Sequence, residues 1–413
     1  MNDPRPPRTA EHATSFSTRL ATLAATLRET AARRDLAGGH AAAEKQLIAD
    51  AGLLALAVPR EFGGAFDDAF DDATGAQNGT QNGTRWPEIY QTIRTLARAD
   101  SALAHLLGFQ FLQIVSVDLW GSAAQRADWL RGTVEHRWWW GNAVNPLDTR
   151  LVAQADGEGG WRLHGKKGFC SGTYGSQMMT VSAHDPATGQ PVFAVVPTTR
   201  AGITVHDDWD PIGQRQTDSG TVSFDAVEVR AHEVLKRPDT PRASLRTLVS
   251  QLVLTNLFVG IAEGALEEAR EYVLANGRPW VNSGVQRAAD DPYLQQRFGE
   301  MRIQALSASL LADRAASLLD AAWAQGDALG ADTRAEVSLA VSEAKIVAHR
   351  AALAAGEQLF DACGARATAA ALAFDRFWRN ARVHTLHDPL DYRVRDVGRH
   401  ALTRELPEPT LYT

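Results

Sequence analysis

The sequence predicts an α+β protein: helices, then a compact β unit, then helices again. Residues 14–140 and 239–400 are rich in alanine and leucine, with apolar residues at helical spacing. Residues 141–238 break instead into short alternating runs cut by turns. The expected organisation is an N-terminal helical domain over 14–140, a central β domain over 141–238, a C-terminal helical domain over 239–400 and a tail over 401–413.

Each element has its own signal. Leu20, Leu23, Ala24 and Leu27 follow the i, i+3, i+4, i+7 spacing of one helix face. "VPREFGG" (58–64) ends that pattern with Pro59 and the Gly63–Gly64 pair. The following stretch over 65–86 is acidic, then Asn/Gly/Thr-rich with "QNGT" doubled, and reads as a mobile surface loop. A helical pattern resumes near Glu88 and continues past "HLLGFQFLQIVSVDLW". "RLVAQADGEGGWRLHG" reads as strand, turn, strand, and "PVFAVVP", "AGITVH" and "SGTVSFDAVEV" extend the β reading. Long alanine-rich helices run from Ser244 to about Leu386. Pro389 biases Asp388 away from helical geometry, so the last of these should stop there.

Composition narrows the function classes. Among 413 residues the formal net charge is -7, which argues against polyanion or nucleic-acid binding. No stretch approaches the roughly 18 continuous apolar residues of a membrane span. The polar, proline-bearing N-terminus lacks an apolar leader core, so a soluble, cytoplasmic protein is expected. Cys170 and Cys363 are too few for a disulfide scaffold or a thiolate zinc site.

Three constellations carry chemistry. "RVHTLHDPLDY" (382–392) places His384, His387 and Asp388 within five residues. On a helix they would share a face, which suits a metal, a proton-transfer group or a pocket wall. No His-x-x-x-His or Glu-x-x-His partner occurs on another helix, which counts against the metal. His105 and Phe109 lie four apart on an apolar helix. "WWWGNAVNPLDTRL" and "KKGFCSGTYGSQ" offer Asn142 and a run of small and hydroxyl residues, Ser171 to Ser176. Such a run lets backbone approach a flat ligand and bond to it. Cys170, with no evident base beside it, reads as packed.

Several segments, in order, resemble the acyl-CoA dehydrogenase superfamily. These are "VPREFGG", "VNPLDTRL", "KKGFCSG", the Gly213–Arg215 turn of "DDWDPIGQRQTDSGTVSFDAVEV", and "NARVHTLHDPL". The resemblance covers nearly the whole chain from residue 15. It implies an N-terminal helical domain, a central β-barrel and a C-terminal four-helix bundle, assembled as a homotetramer.

Two departures redirect the reading. The position of the family's base is Asp388, one methylene shorter than glutamate and followed by Pro389. The family's Gln-x-x-Gly-Gly element has become Gln358 with Asp361 and Ala362, whose side chains would crowd a dinucleotide. "VHTLHDP", "GNA" and "FCSG" resemble instead the flavin-dependent monooxygenases of this fold, of which dibenzothiophene monooxygenase is a member. The resemblance implies reduced FMN from a separate flavin reductase, oxygen addition at flavin C4a to give a hydroperoxide, and oxygenation of a small apolar or aromatic substrate. An organosulfur compound is the leading substrate class, with amine and ring oxidation as the others. The alternative is an FAD-dependent acyl-CoA dehydrogenase with Asp388 as base. A third is a non-catalytic assembly protein on the same fold.

Residue roles follow from the branch resemblance. Arg278 and Arg366 would hold the FMN phosphate, Arg366 across a subunit interface. Asn142 and Ser171 would bond the isoalloxazine edge, Ser171 near N5, with Trp209 flanking the ring. His387, held by Asp388, would transfer a proton, assisted by His105 from the opposite wall. Phe109 stands in the substrate pocket where the branch can carry a tyrosine.

Overall fold

The computed structural model describes residues 15–64 and 86–410. Of the expected loop, only Trp86 falls among them, and the rest lies outside the described residues.

The N-terminal region is helical. Helix α1 (Phe16–Ala37) begins where the Ser15 hydroxyl accepts from Thr18 N, and it buries Leu20, Leu23 and Leu27 as its spacing predicts. After α2 (Ala42–Asp50), the chain turns at Gly64, where a β-carbon would lie 1.8 Å from the Val58 carbonyl oxygen. Only glycine fits there.

The helical stretch expected next forms two helices. Asp100, extended at φ -154°, separates α3 (Trp86–Ala99) from α4 (Ser101–Trp120). Its carboxylate accepts from Ala102 N and Leu103 N and so caps α4. Helix α4 is apolar on every side and buried throughout. Both α4 and the later helix over Pro241–Asn276 have the length and hydropathy of a membrane span, but they are mostly buried inside the protein as core helices. Helix α5 (Ala123–His136) opens with a capping box between Ser122 and Gln125.

The central unit is a curled sheet. Its strands are β1 (Trp140–Ala143), β2 (Leu151–Ala155), β3 (Trp161–Lys167), β4 (Met178–His184), β5 (Pro191–Pro197), β6 (Ile203–Val205), β7 (Val222–Val229) and β8 (Val234–Leu235). The order is β6-β7-β3-β2-β4-β5-β8, with β1 laid parallel on β4. The β2–β3 hairpin is the strand–turn–strand read from the sequence. Strand β4 shows no alternation because all but its last residue are buried.

The C-terminal half is built from α6 (Pro241–Asn276), α7 (Pro292–Ala324), α8 (Ala331–Cys363), α9 (Asp375–Thr385) and α10 (Leu390–Thr403). Buried Ala305, Ala308, Ala312 and Ala315 line one stripe of α7, where small side chains let neighbouring backbones approach closely. Helix α9 stops at Thr385, just before the proline-biased Asp388. The loop before β7 ties the parts together. A β-carbon on Gly213 would lie 2.4 Å from the Arg379 carbonyl carbon on α9, and the Arg215 guanidinium donates to the Asp35 and Leu36 carbonyls at the end of α1.

Candidate active site

Where α4, α6, α9 and the sheet meet, they enclose a cavity of about 770 Å³. That is the size of a cofactor or ligand site. Helix α4 supplies His105, Phe109, Leu112 and Trp120, β1 supplies Asn142, and the loop before β4 supplies Ser171. Trp209 and Gln214 close one side, and His384 and His387 come from the end of α9 and just beyond.

One wall is a stack of rings. His105 lies 4.0 Å from Phe109 and 4.8 Å from His384, centroid to centroid. Neither nitrogen of His105 has a hydrogen-bond partner among the described residues, and His384 Nε2 also lacks one. Burial pushes the His105 imidazole well below its ordinary range, with His384 and His387 adding to the effect. Burial, with His387 and Lys345, takes His384 down to about 3. Both rings are therefore neutral near pH 7.

His387 Nδ1 lies 3.1 Å from Asp388 Oδ1. The Asp388 carboxylate is buried and also bonded by the Lys345 ammonium and by Arg393 Nε, the latter at 2.9 Å. Burial alone would raise this carboxyl. The His387 hydrogen bond and the Lys345 and Arg393 charges outweigh it and hold Asp388 well below the usual carboxylate range. Lys345 is lowered to about 8 by burial, against the pull of Asp388, and it donates to Gln251 Oε1 on the cavity wall at 2.6 Å. His384, His387 and Asp388 thus do not converge on one ion: His384 stacks on His105, and Asp388 faces Lys345 and Arg393.

A second set of lining residues is rich in hydroxyl and amide groups. Ser171 Oγ is 2.7 Å from Ser219 Oγ, which is 2.8 Å from Thr217 Oγ1. Thr217 donates to the Gln214 carbonyl. Asn142 Oδ1 accepts from Gln113 Nε2 at 3.1 Å, and its backbone N–H bonds the Ser171 carbonyl. Trp209 Nε1 donates to the Gln214 carbonyl and meets the exposed Phe169 ring edge to face at 5.8 Å. Phe169 and Gln214 both hold left-handed backbone, at φ 56° each. Such strain is concentrated at ligand sites. Gln214 Oε1 is buried without a partner among the described residues. A flat, polar-edged group would fit between these residues and the rings, bonded by Asn142, Ser171 and Gln214 and flanked by Trp209.

Arg278 and Arg366 are not on this cavity wall. Both are exposed; Arg278 lies just past the end of α6, and Arg366 Nη2 donates to the Asn276 carbonyl at that helix end at 2.6 Å. Cys170 is packed, with its thiol pushed up to about 12 by burial. Sequence reasoning missed Lys345, Arg393, Gln251 and the Ser219–Thr217 pair. Lys345 and His349, four apart on an alanine-rich helix, were the available signal. Nothing in the sequence alone pairs Lys345 with Asp388, 43 positions away.

Helical domain, curled sheet and helical bundle around one cavity define a flavoenzyme of the acyl-CoA dehydrogenase fold. The sequence patterns of the acyl-CoA dehydrogenase middle domain and C-terminal domain match residues 140–227 and 252–392. The chain is 44% identical to "Probable FMNH2-dependent monooxygenase SfnC" of Pseudomonas putida, over 95% of both proteins. It is 39% identical to dibenzothiophene monooxygenase of Rhodococcus qingshengii, over 94% of this chain and 93% of that protein. The structure of methanesulfinate monooxygenase MsuC from Pseudomonas fluorescens superposes with a TM-score of 0.90 at 42% identity, covering 97% of this chain and 100% of that one. FMN-bound TdsC from Paenibacillus sp. A11-2 superposes with a TM-score of 0.88 at 36% identity, covering 96% and 100%. The chain belongs to the acyl-CoA dehydrogenase superfamily, in its FMN-dependent monooxygenase branch. It is a flavin-dependent monooxygenase with FMN as cofactor.

Proposed function

We propose that this enzyme is the oxygenase of a two-component system. It takes reduced FMN from a separate reductase and oxygenates a small organosulfur compound, working as a homotetramer. When bound, the reduced flavin supplies two electrons, so that one atom of O2 reaches the substrate sulfur and the other leaves as water. The organosulfur class is supported by the dibenzothiophene and methanesulfinate oxidisers among the relatives.

The observation that carries this reading is one cavity lined both by Asn142, Ser171, Gln214 and Trp209, a set suited to a flat ring, and by the imidazoles of His105, His384 and His387. The protein's own part is to orient the ring, exclude water and hold or move a proton at His387 Nε2, with Nδ1 fixed by Asp388. The dehydrogenase alternative needs a carboxylate free to take a proton. Asp388 instead carries Lys345, Arg393 and His387 as donors and lies off the cavity wall.

The test is turnover of a thioether such as dibenzothiophene with NADH, FMN and a purified flavin reductase. Sulfoxide should form only when all three are present. NADH oxidation by the isolated protein would overturn the two-component reading.

A further inference from the structure

The end of the cavity away from the imidazoles is cationic. Arg246 on α6 lines it, with the guanidinium carbon 5.1 Å from the Trp120 ring centroid and Nε donating to Ser116 Oγ at 2.7 Å. Arg237 lies near the same indole, 6.0 Å from its centroid. Neither arginine has a carboxylate at ion-pair distance among the described residues, and the Arg246 terminal nitrogens make no hydrogen bond to them. Burial and the Arg237 charge lower Arg246 to about 10. A partly buried cation whose terminal nitrogens stay open on a cavity wall favours a counter-charge there. Buried Arg34, by contrast, is matched by Asp100 at 2.6 Å.

Position shows what the counter-charge belongs to. Ser116, which anchors Arg246, lies eleven residues beyond His105 on α4, about 16 Å along the helix axis. A group held by Arg246 therefore sits at the far end of the cavity from the imidazole wall. The apolar residues between them, Phe109 and Leu112, suit an apolar spacer.

We propose that Arg246, with Arg237 at its side, is an anion subsite for the substrate's acidic group. The substrate is an elongated organic anion, with a carboxylate or sulfonate at Arg246 and the atom to be oxygenated at the histidine end. The inference rests on the monooxygenase reading for its chemistry, but not for its binding. The fixed guanidinium of arginine gives two parallel donors to such a head group.

The test uses 3-[4-(methylthio)phenyl]propanoate and its neutral primary amide, titrated calorimetrically into the FMN-free protein and assayed with reductase. The acid should bind at least tenfold more tightly than the amide. Arg246→Met should erase that difference, Arg246→Lys should keep part of it, and Arg237→Ser should reduce it, each with unchanged circular dichroism. Equal binding of acid and amide by the wild type, or a preference that survives Arg246→Met, overturns the inference. If Arg246→Met weakens FMN instead, the arginine serves the flavin phosphate and the inference also fails. Tight, Arg246-dependent binding of the acid without sulfoxide formation would uphold the subsite and count against the monooxygenase reading alone.

Discussion

The imidazoles of His105 and His384 stack 4.8 Å apart with their planes 22° from parallel, buried and neutral. The pairing sets a pH dependence. The His384 ring titrates near 3 in the folded chain, against about 6.5 when unfolded. As pH falls, the unfolded chain takes the proton first, so stability that is full above pH 6.5 declines toward pH 3. One such ring costs about 2–3 kcal/mol between pH 6.5 and 4.5. Asp388, held below the carboxylate range, acts under this window, and Lys345, lowered to about 8, acts above it. His105, pushed well below its ordinary range, and His349, lowered to about 4, act within it but are common to both proteins compared. Urea unfolding at pH 7 and 4.5 should show a smaller loss in His384→Phe than in wild type. Equal losses would mean that His384 is not the titrating group.

His387→Ala should fold and bind FMN, yet lose substrate oxygenation by ~10²–10⁴-fold, the usual contribution of a positioned acid–base group. Reducing equivalents would then appear as hydrogen peroxide. Product yield and peroxide release, measured together, check this. Wild-type values for both would reduce His387 to a helix-end residue.

Asp388 behaves differently, because it answers two buried cations as well as His387. Asp388→Asn leaves Lys345 and Arg393 without their carboxylate, and breaking a buried pair from one side costs ~3–5 kcal/mol. The melting temperature should fall clearly. Lys345→Met added to Asp388→Asn should restore part of the loss, whereas additive losses would show that the three groups do not act as one network.

How much of this was legible depends on distance along the chain. Local signals read well: the i, i+3, i+4 stripe of α1, the β2–β3 hairpin and the His105–Phe109 face are settled by residues within a turn or a hairpin of one another. Strand β4 was not read because it is buried on both faces and lacks alternation. The break at Asp100 was hidden because the apolar pattern runs straight through it, and only its capping role marks the boundary. In the site, Asn142, Ser171, Trp209 and His387 stood out by residue type near a resemblance motif, and all of them line the cavity. Lys345, Gln251 and Arg246 did not, since a lysine, glutamine or arginine on a long helix reads as a solvated face until folding closes the bundle around it.

Gly213→Ala tests the junction that holds this loop to α9. Its β-carbon would press to 2.4 Å on backbone that cannot yield, and such overpacking typically costs ~1–3 kcal/mol. Gln214, whose N–H donates to Asn380 Oδ1 at 2.6 Å, would be displaced with it. The variant should melt earlier and bind FMN more weakly. An unchanged flavin affinity would separate the loop from the flavin site.

The last prediction concerns Arg278 and Arg366. They lie outside their own chain's cavity, exposed near Asn276, so their proposed hold on the flavin phosphate works only from a neighbouring subunit. Arg278→Ala or Arg366→Ala should each weaken FMN by ~2 kcal/mol, about thirtyfold, through loss of a charge-assisted bond. Action in trans makes a sharper demand. Neither Arg366→Ala nor His387→Ala homo-oligomers should oxygenate well. In a mixed oligomer, however, a His387→Ala chain can lend its intact Arg366 to a partner cavity that keeps His387. Dissociating and reassembling the two variants together should therefore recover activity that neither has alone. If the mixture stays as inactive as its parts while flavin affinity is normal in the arginine variants, the phosphate lies elsewhere and these arginines have no part in the site.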